Sequence, residues 1–474
     1  MRLIPGLRWV AVPMLAAVLS GCAGGAATSP LHRRLLSLSD LPTGWSKSSA
    51  SPQSVQLDSA PCFSSLSKNP KGVTFEGEAF VQGTAIPNLA EVLASGPQAR
   101  QYWQSLDRSL AVCRTATLDI EGTKVQAAVQ PVILPPVGQS SSAYALDFTV
   151  SGIHFQSDLV VFQTEAYDGY LSYSDLGIPS TATVAAFAGA AVTKVENGST
   201  VPVPDTLSIT SVPVRTVRTT MGTVAYRAVG TGPNLVMIMG YSGTMTTWDR
   251  RLVDTLAQHH HVVIFDNAGI GHTQALSAPL SIDSMADQTS ALIDALGLQQ
   301  PEVLGWSMGS MIAQALAVLH PDQVHRLVLC ASYPGNGAAV PPSRATLNQF
   351  ESGDQAQVLA ALFPPDQTAA QNSYLAAVSS YPSAPPAPPA TVSAQGHAID
   401  QWWAGQDPAG RQTDRIAVPT LIADGAADRL DPVDNSHTLA RLIPNATLKI
   451  YPDAGHAFLF QEQTFASLVD SFLS

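Results

Sequence analysis

The sequence has few cysteines, few positive charges and a low overall charge density. Only four of its 474 residues are cysteine, and no two form a Cys-x-x-Cys pair, so neither a disulfide mini-scaffold nor a zinc or dithiol site is expected. Lys and Arg number 24 against 36 Asp and Glu, and the net charge of -12 argues against a body that binds nucleic acid. With 13% charged and 45% hydrophobic residues, the chain is expected to fold rather than remain disordered.

The N-terminus has the layout of an export signal. Arg2 and Arg8 form a basic N-terminal region. The apolar run 9–19 that follows it is too short to span a bilayer. The run ends in Leu19-Ser20-Gly21-Cys22, which resembles the lipobox of bacterial lipoproteins. That resemblance implies removal of residues 1–21, diacylation of Cys22, and an extracytoplasmic protein held to the cell membrane by lipid alone. An ordinary secretory signal with a cysteine near its cleavage site is the alternative.

Export to an oxidising compartment allows Cys62 and Cys113 to form a disulfide. Both lie in the N-terminal part of the chain, whereas Cys330 lies in the apolar run 327–330 and is expected to be a buried strand residue. On the chain-entropy argument, closing a loop of about fifty residues stabilises the fold by roughly 4 kcal/mol. Two free thiols are the alternative.

Composition and apolar periodicity divide the remainder into a tether and two domains. We expect a small, polar tether over 22–30, a small α+β domain over 31–200, and a second domain over 201–474. In the first domain the pattern predicts a helix over 98–113 and strands over 143–150, 157–163 and 167–172. That domain has no constellation of residues that we assign to chemistry, and the sequence does not indicate its partner.

The second domain alternates apolar strands with helical stretches. Its strand-length apolar runs lie at 234–240, 261–266, 301–305, 325–331, 419–424 and 447–451. Such uniformly apolar runs are typical of a mostly parallel sheet with helices on both faces. An antiparallel hairpin over 214–229 is expected at its edge. The proline-rich segment 333–415 interrupts this alternation, and we interpret it as a helical lid.

Three residues follow predicted strands in positions suited to nucleophilic catalysis. Ser307, within Gly305-Trp306-Ser307-Met308-Gly309, lies between a strand and a helix, which is the context of a nucleophile elbow. Serine needs a base at neutral pH, and His456, in a glycine-bearing loop after the last strand, is the favoured base. Asp428 lies just beyond a strand and is the favoured carboxylate to orient His456.

Neighbouring residues compete for two of these roles. Asp424 and Asp431 are rivals of Asp428 because they lie within the same loop region. The histidine triplet 259–261 competes with His456, but it precedes a strand on the other side of the sheet. We interpret the triplet as a solvated turn that binds no metal ion.

These motifs together resemble the α/β-hydrolase superfamily, in particular its haloperoxidase- and esterase-like branch. The chain order Ser, Asp, His matches, as do Gly425-x-x-Asp428-x-x-x-Pro432, Gly455-His456 and the loop 266–273. The resemblance implies the α/β-hydrolase fold, no cofactor, and an oxyanion hole built from the backbone N–H groups of Tyr241 and Met308. The sequence departs from the family at 239–240, where Met-Gly replaces the frequent His-Gly.

The resemblance implies a serine hydrolase that cleaves an ester or related acyl bond of a small molecule. A proline-type aminopeptidase is one alternative. Against it, the acids between 333 and 400 are only Glu351, Asp354, Asp366 and Asp400, and their wide spacing predicts no cluster for a free amino terminus. A sensing or binding lipoprotein is the other alternative, and an intact triad counts against it. A nucleotide-cofactor enzyme is disfavoured because Gly269-x-Gly271 lacks the third glycine of the fingerprint.

Overall fold

A computed structural model describes residues 29–42, 45–48, 55–57, 70–82, 88–120, 123–150, 153–176, 179, 181–200, 203, 208–210, 212–381, 384–462 and 464–474. The chain divides into two compact units, Met1–Asp205 and Thr206–Ser474, here called unit 1 and unit 2. The predicted signal peptide, Cys22 and Cys62 lie outside the described residues. Within the described ranges, no helix combines the length and apolar character needed to cross a membrane.

Unit 1 contains, within its described residues, one nine-stranded antiparallel sheet and two helices. The strands are β1 (Trp45–Lys47), β2 (Val55–Leu57), β3 (Thr74–Gln82), β4 (Asn88–Ser95), β5 (Thr115–Ile120), β6 (Thr123–Val132), β7 (Ser140–Val150), β8 (Ile153–Gln163) and β9 (Asp168–Leu176). Their order across the sheet is β1-β3-β4-β9-β8-β7-β6-β5-β2. The helices are α1 (Ala99–Val112) and α2 (Thr181–Asn197). The α+β class is the one expected, although the sequence pattern identified only three of these strands.

The two helices of unit 1 cover opposite faces of its sheet. Trp103 of α1 packs edge-on against Tyr170 of β9, with ring centroids 5.5 Å apart, and Phe187 of α2 stacks on Tyr173 at the same distance. Residues 170 and 173 point to opposite faces because side chains alternate along a strand. Central strands such as β4 are therefore buried on both sides, which removes the alternating pattern from which antiparallel strands are usually recognised.

The described residues include two cysteines, Cys113 and Cys330. Cys330 is free and fully buried in the sheet of unit 2, as expected. Cys113 follows α1 and is buried. The pairing with Cys62 stays a prediction.

Unit 2 contains a mostly parallel eight-stranded sheet within the described part of the chain. The strands are β10 (Arg215–Thr219), β11 (Gly222–Val229), β12 (Asn234–Ile238), β13 (His261–Phe265), β14 (Glu302–Trp306), β15 (Leu327–Cys330), β16 (Thr420–Gly425) and β17 (Ala446–Tyr451). Their order is β10-β11-β13-β12-β14-β15-β16-β17; the pairs β10–β11 and β11–β13 are antiparallel, and the other five pairs are parallel. The predicted strand runs and the predicted edge hairpin are confirmed.

Helices bury both faces of the second sheet. They are α3 (Arg250–Leu256), α4 (Ile282–Leu296), α5 (Met308–Leu319), α10 (Asp434–Leu442), α11 (Phe458–Gln461) and α12 (Phe465–Leu473). Along β12, Leu235 and Met237 join one hydrophobic cluster, whereas Val236 and Ile238 join the other. All four are fully buried, which explains why the strand has no polar side.

The segment between β15 and β16 forms the predicted helical insertion. Its helices are α6 (Arg344–Phe350), α7 (Gln355–Leu362), α8 (Thr368–Ser379) and α9 (Pro389–Trp403). The last of them is anchored at its C-terminal end, where the fully buried Trp402 donates its indole N–H to the backbone oxygen of Tyr333 at 3.1 Å. We call this insertion the lid.

Only the first residue of the histidine triplet fits the predicted solvated turn: His259 lies in a turn with its side chain 65% exposed. His260 is only 2% exposed, and its ring lies 3.1 Å from the Glu302 carboxylate and 3.2 Å from that of Asp470. His261 begins β13, which is an interior strand and not an edge. The buried histidine is therefore held by carboxylates from two other elements. Across the described residues, no group of three or more His, Cys, Asp or Glu side chains could hold a metal ion.

Glu91 of β4 makes the stability of unit 1 depend on pH. The side chain is fully buried, its Oε2 accepts the backbone N–H of Leu36 at 2.7 Å, and burial raises its pKa to about 8 from an ordinary 4.5. The folded state keeps this proton to higher pH than the unfolded state does, so the free energy of unfolding falls as pH rises through this window. Glu91→Gln keeps an acceptor and cannot ionise. The variant should gain stability relative to wild type between about pH 5 and pH 8, by at most about 1.4 kcal/mol per pH unit.

Hydrogen exchange of peptides from β3 and β4 at the two pH values would measure this gain. Glu165→Gln is the matched control, because Glu165 is exposed on the same unit. An identical pH dependence for wild type and Glu91→Gln would contradict the assignment.

Candidate active site

Ser307 occupies the sharp turn between β14 and α5. Its backbone has φ 57 and ψ -124, a conformation that is strained for a residue with a side chain. The residues two positions before and two positions after the serine must be glycine. A Cβ on Gly305 would lie 2.3 Å from the backbone oxygen of Gly309, and a Cβ on Gly309 would lie 2.0 Å from that of Ile238. The tight packing of strand and helix thus forces the predicted elbow and leaves its serine at the carboxyl end of the sheet.

His456 and Asp428 form a buried hydrogen-bonded pair. The imidazole Nδ1 lies 2.7 Å from Oδ2 of the carboxylate, and the side chains are 4% and 0% exposed. The other carboxylate oxygen accepts the backbone N–H groups of Leu430 and Asp431 at 2.8 and 2.7 Å. Three hydrogen bonds therefore fix the carboxylate. With Nδ1 bonded in this way, Nε2 is the ring nitrogen left to take a proton from a substrate-side group.

Trp306, the residue before Ser307, contacts His456. Its indole N–H donates to the backbone oxygen of His456 at 3.1 Å, and the two rings lie 5.8 Å apart. The tryptophan is 5% exposed. Sequence reasoning treated this position only as the variable residue of the glycine-serine-glycine motif, so the contact was missed.

Asp424 and Asp431 have other partners. Asp424 accepts the Ser436 hydroxyl at 2.8 Å and the backbone N–H of Gly425 at 2.7 Å. Asp431 accepts the side-chain N–H of Asn435 at 2.8 Å. Burial, followed by the negative charge of Asp428, raises the pKa of both carboxyl groups well above the usual range. Of the three carboxyl groups, Asp428 is the one that contacts His456.

The two residues expected to supply oxyanion donors flank the nucleophile. Met308 is the first residue of α5, where backbone N–H groups have no acceptor within the helix. The turn that carries Tyr241 passes close to Ser307, because a Cβ on Gly240 would lie 3.2 Å from the Cβ of that serine. Tyr241 and Ser307 also line one cleft.

That cleft has a volume of about 700 Å³, its open mouth included, and the lid forms one side of it. Ser307 and His456 lie on its core side, and the remaining lining is mainly apolar or aromatic: Met311, Tyr333, Pro342, Leu347, Phe350, Ile399, Trp403 and Leu430. Exposed Arg344, Glu351 and Asp400 also line it.

Two of the four acids between 333 and 400 line the same cleft although they are widely spaced in sequence. Glu351 ends the α6 region and Asp400 lies in α9, yet both line the same cleft. Burial, and then the charges of these two carboxylates, raise the pKa of Tyr241. The folded lid brings together acids that are distant in sequence.

Comparison with known proteins agrees with this architecture. The sequence model for the alpha/beta hydrolase fold matches residues 233–463. A 2-hydroxymuconate semialdehyde hydrolase from Pseudomonas sp. (strain CF600) is 30% identical over 250 residues, covering 52% of this chain and 88% of the relative. A pimeloyl-[acyl-carrier protein] methyl ester esterase from Nitrosomonas europaea is 28% identical over 277 residues, covering 53% of this chain and 100% of the relative.

The match extends over nearly the whole length of these relatives and includes the elbow, the carboxylate loop and the histidine loop. The parallel sheet, the order of the three residues and the strained serine turn point the same way. This chain belongs to the alpha/beta hydrolase fold family.

Proposed function

We propose that the protein is a serine hydrolase that cleaves an ester or a related acyl bond through an acyl-enzyme. The observation that carries this proposal is the buried 2.7 Å contact between His456 and Asp428, in the same cleft as a serine on a strained elbow. A scaffold without catalysis has no need to bury a hydrogen-bonded aspartate–histidine pair beside a strained serine. This argument also disfavours a purely sensing or binding role for unit 2.

The geometry suits a two-step acyl transfer. The Ser307 hydroxyl oxygen attacks the acyl carbonyl carbon while its proton passes to Nε2 of His456, and Asp428 stabilises the resulting imidazolium. The carbonyl oxygen, now negative, accepts the N–H groups of Tyr241 and Met308. The proton then goes to the leaving alcohol. Water repeats the cycle on the acyl-enzyme, releasing the acid and restoring Ser307.

The lining of the cleft favours neutral substrates of modest size. Its apolar side chains come from the core and from the lid, and each buried methylene contributes about 0.8 kcal/mol to binding. The names of the relatives, an ester esterase and a semialdehyde hydrolase, are consistent with acyl substrates.

A specific observation supports a second candidate, an aminopeptidase. Glu351 and Asp400 together could receive the ammonium group of a substrate, because both line the cleft that holds Ser307. Arg344 lines the same cleft and offsets part of their negative charge. Neutral esters therefore remain the first candidate.

Single substitutions would test the triad. Ser307→Ala and His456→Ala should each lower ester turnover by several orders of magnitude, because the members of a triad act as a unit. Asp428→Asn should lower it on the order of a hundredfold or more, since the asparagine does not stabilise an imidazolium. Steady-state rates on a short p-nitrophenyl ester, with thermal melts to confirm folding, measure these effects.

Asp424→Asn and Asp431→Asn are the matched controls, because each aspartate is buried in the same region without contacting His456. They should lower turnover by less than about tenfold. Full activity of Ser307→Ala would reject the mechanism, and a reversed ranking of the three aspartates would move the acid elsewhere.

A substrate series separates the two candidates. Turnover of neutral esters should rise from acetate towards butyrate or hexanoate, as added methylenes fill the apolar cleft, and then fall. Glu351→Gln combined with Asp400→Asn should leave these rates within about threefold, because neutral esters have no ammonium group to pair. Faster cleavage of proline-terminated amides than of every ester, lost in the double variant, would favour the aminopeptidase.

We place this activity outside the cytoplasm, on a lipid anchor at Cys22. The proposal depends on the signal layout and the lipobox-like sequence that ends at that cysteine. Cys22→Ser should move the protein from the detergent phase to the aqueous phase in a detergent-partition experiment, because the acylated sulfur is lost. Unchanged partitioning would reject lipid anchoring.

A further inference from the structure

We propose that Gln395, in the lid helix α9, is a positioning residue that holds the oxyanion donor of Tyr241 in place. Its side-chain oxygen accepts the backbone N–H of Ser242 at 2.8 Å. Gln395 is fully buried and is separated by 153 residues from the turn it contacts. This inference rests on the proposed function, because it concerns stabilisation of the oxyanion.

The N–H of Tyr241 belongs to a peptide group whose two neighbours are both anchored. On one side, Asn267 donates its side-chain N–H to the backbone oxygen of Met239 at 2.7 Å. On the other side, Gln395 accepts the N–H of Ser242. The peptide between them carries the Gly240 oxygen, which accepts the N–H of Gly243 at 3.3 Å. The carbonyl and N–H of a trans peptide point in opposite directions, so these bonds together fix where the Tyr241 N–H points.

The turn needs this support because it is strained. Ser242 has φ 56, a left-handed conformation that favours glycine and is strained for a residue with a side chain. A strained turn relaxes by rotating its peptides unless surrounding groups hold it. The bond from Gln395 opposes that rotation at the strained residue itself.

The lid contributes this bond through the side-chain oxygen of Gln395. The Nε2 of Gln395 is buried without a hydrogen-bond partner among the described residues, so Oε1 makes the polar contact of this side chain. The next residue, Gly396, lies beside the ring of Tyr241, because a Cβ there would be 3.8 Å from its hydroxyl oxygen. The lid helix is therefore seated on the donor turn.

The donor turn is supported without the histidine that is frequent in the family. This chain has Met239 at that position. In the structure, Asn267 from the loop after β13 and Gln395 from the lid hold that turn. Since one of these comes from the lid, the oxyanion site is complete only with the lid in place.

The test compares Gln395→Met with Gln395→Glu in the full-length protein. Methionine keeps the length but removes the acceptor, whereas glutamate keeps an oxygen that can accept the Ser242 N–H. Gln395→Met should lower kcat for a neutral ester about 10- to 100-fold with KM within about threefold, as expected for a displaced donor. The inhibition constant of a trifluoromethyl ketone, which forms a tetrahedral oxyanion on serine, should rise in parallel. Gln395→Glu keeps the acceptor but adds a buried negative charge near the oxyanion, so its kcat should lie below wild type and above that of Gln395→Met.

Trp402→Phe is the matched lid control. It removes a buried hydrogen bond from the same helix to the backbone of Tyr333 without touching the donor turn. It should lower the melting temperature with a smaller effect on kcat than Gln395→Met has. If Gln395→Met does not fold, Gln395→Asn, which is one methylene too short to reach Ser242, replaces it with the same expected loss.

Three results would overturn the proposal: a kcat for Gln395→Met within threefold of wild type, a rise in KM alone, or equal losses in the Met and Glu variants. Fluorophosphonate labelling separates this failure from failure of the proposed function. Loss of labelling in Ser307→Ala supports the serine mechanism whatever the Gln395 variants do. Labelling that is unchanged in Ser307→Ala rejects the mechanism and the positioning role together.

Discussion

The close approach of α5 to strands β12 and β14 is the constraint on which the site depends. Gly309 leaves no space for a Cβ against the backbone of Ile238, and Gly305 leaves none against Gly309. Because the helix is pressed so near the sheet, the chain must reverse within one residue, and that residue is Ser307 at φ 57. The strand that precedes the turn is held in position by hydrogen bonds, since β14 pairs with β12 on one side and with β15 on the other.

The same sheet decides which side chains meet. Parallel strands have their carboxyl ends at one edge, so the loops after β12, β14, β16 and β17 converge there although they are far apart in sequence. Asp428 and His456 come from the last two of these loops and meet at 2.7 Å. Asp428 differs from its two neighbouring aspartates in its hydrogen-bond partner. The side chains of Asp424 and Asp431 are bonded to Ser436 and Asn435, and burial raises the pKa of both carboxyl groups.

The lid adds three features that the sheet does not provide. Its apolar residues form one side of the cleft over Ser307, and its helix α9 places Gln395 against the turn after β12. It also brings Glu351 and Asp400 to the cleft, which introduces negative charge beside an apolar lining. On the proposed function, substrate preference therefore depends on lid residues, whereas Ser307, Asp428 and His456 all belong to the core.

Local sequence pattern was sufficient to predict the strands of unit 2 and the residues of the candidate site. Uniformly apolar runs identify the strands of unit 2, because a strand buried on both faces excludes polar residues, and the glycines around Ser307 identify a turn that tolerates no other residue. Asp428 and His456 could be chosen because each follows a strand in the order that the family uses. Local pattern was less informative in unit 1, where β4 and its neighbours are also covered on both faces but belong to an antiparallel sheet. The contacts between side chains that are distant in sequence are visible only in the folded protein. They include His260 between two carboxylates and the hydrogen bond from Trp306 to His456. They also include the position of Glu351 and Asp400 at one cleft and the contact of Gln395 with Ser242. These contacts depend on how helices of the lid and loops of the core pack in three dimensions, and sequence spacing carries no information about a hydrogen bond that spans 153 residues.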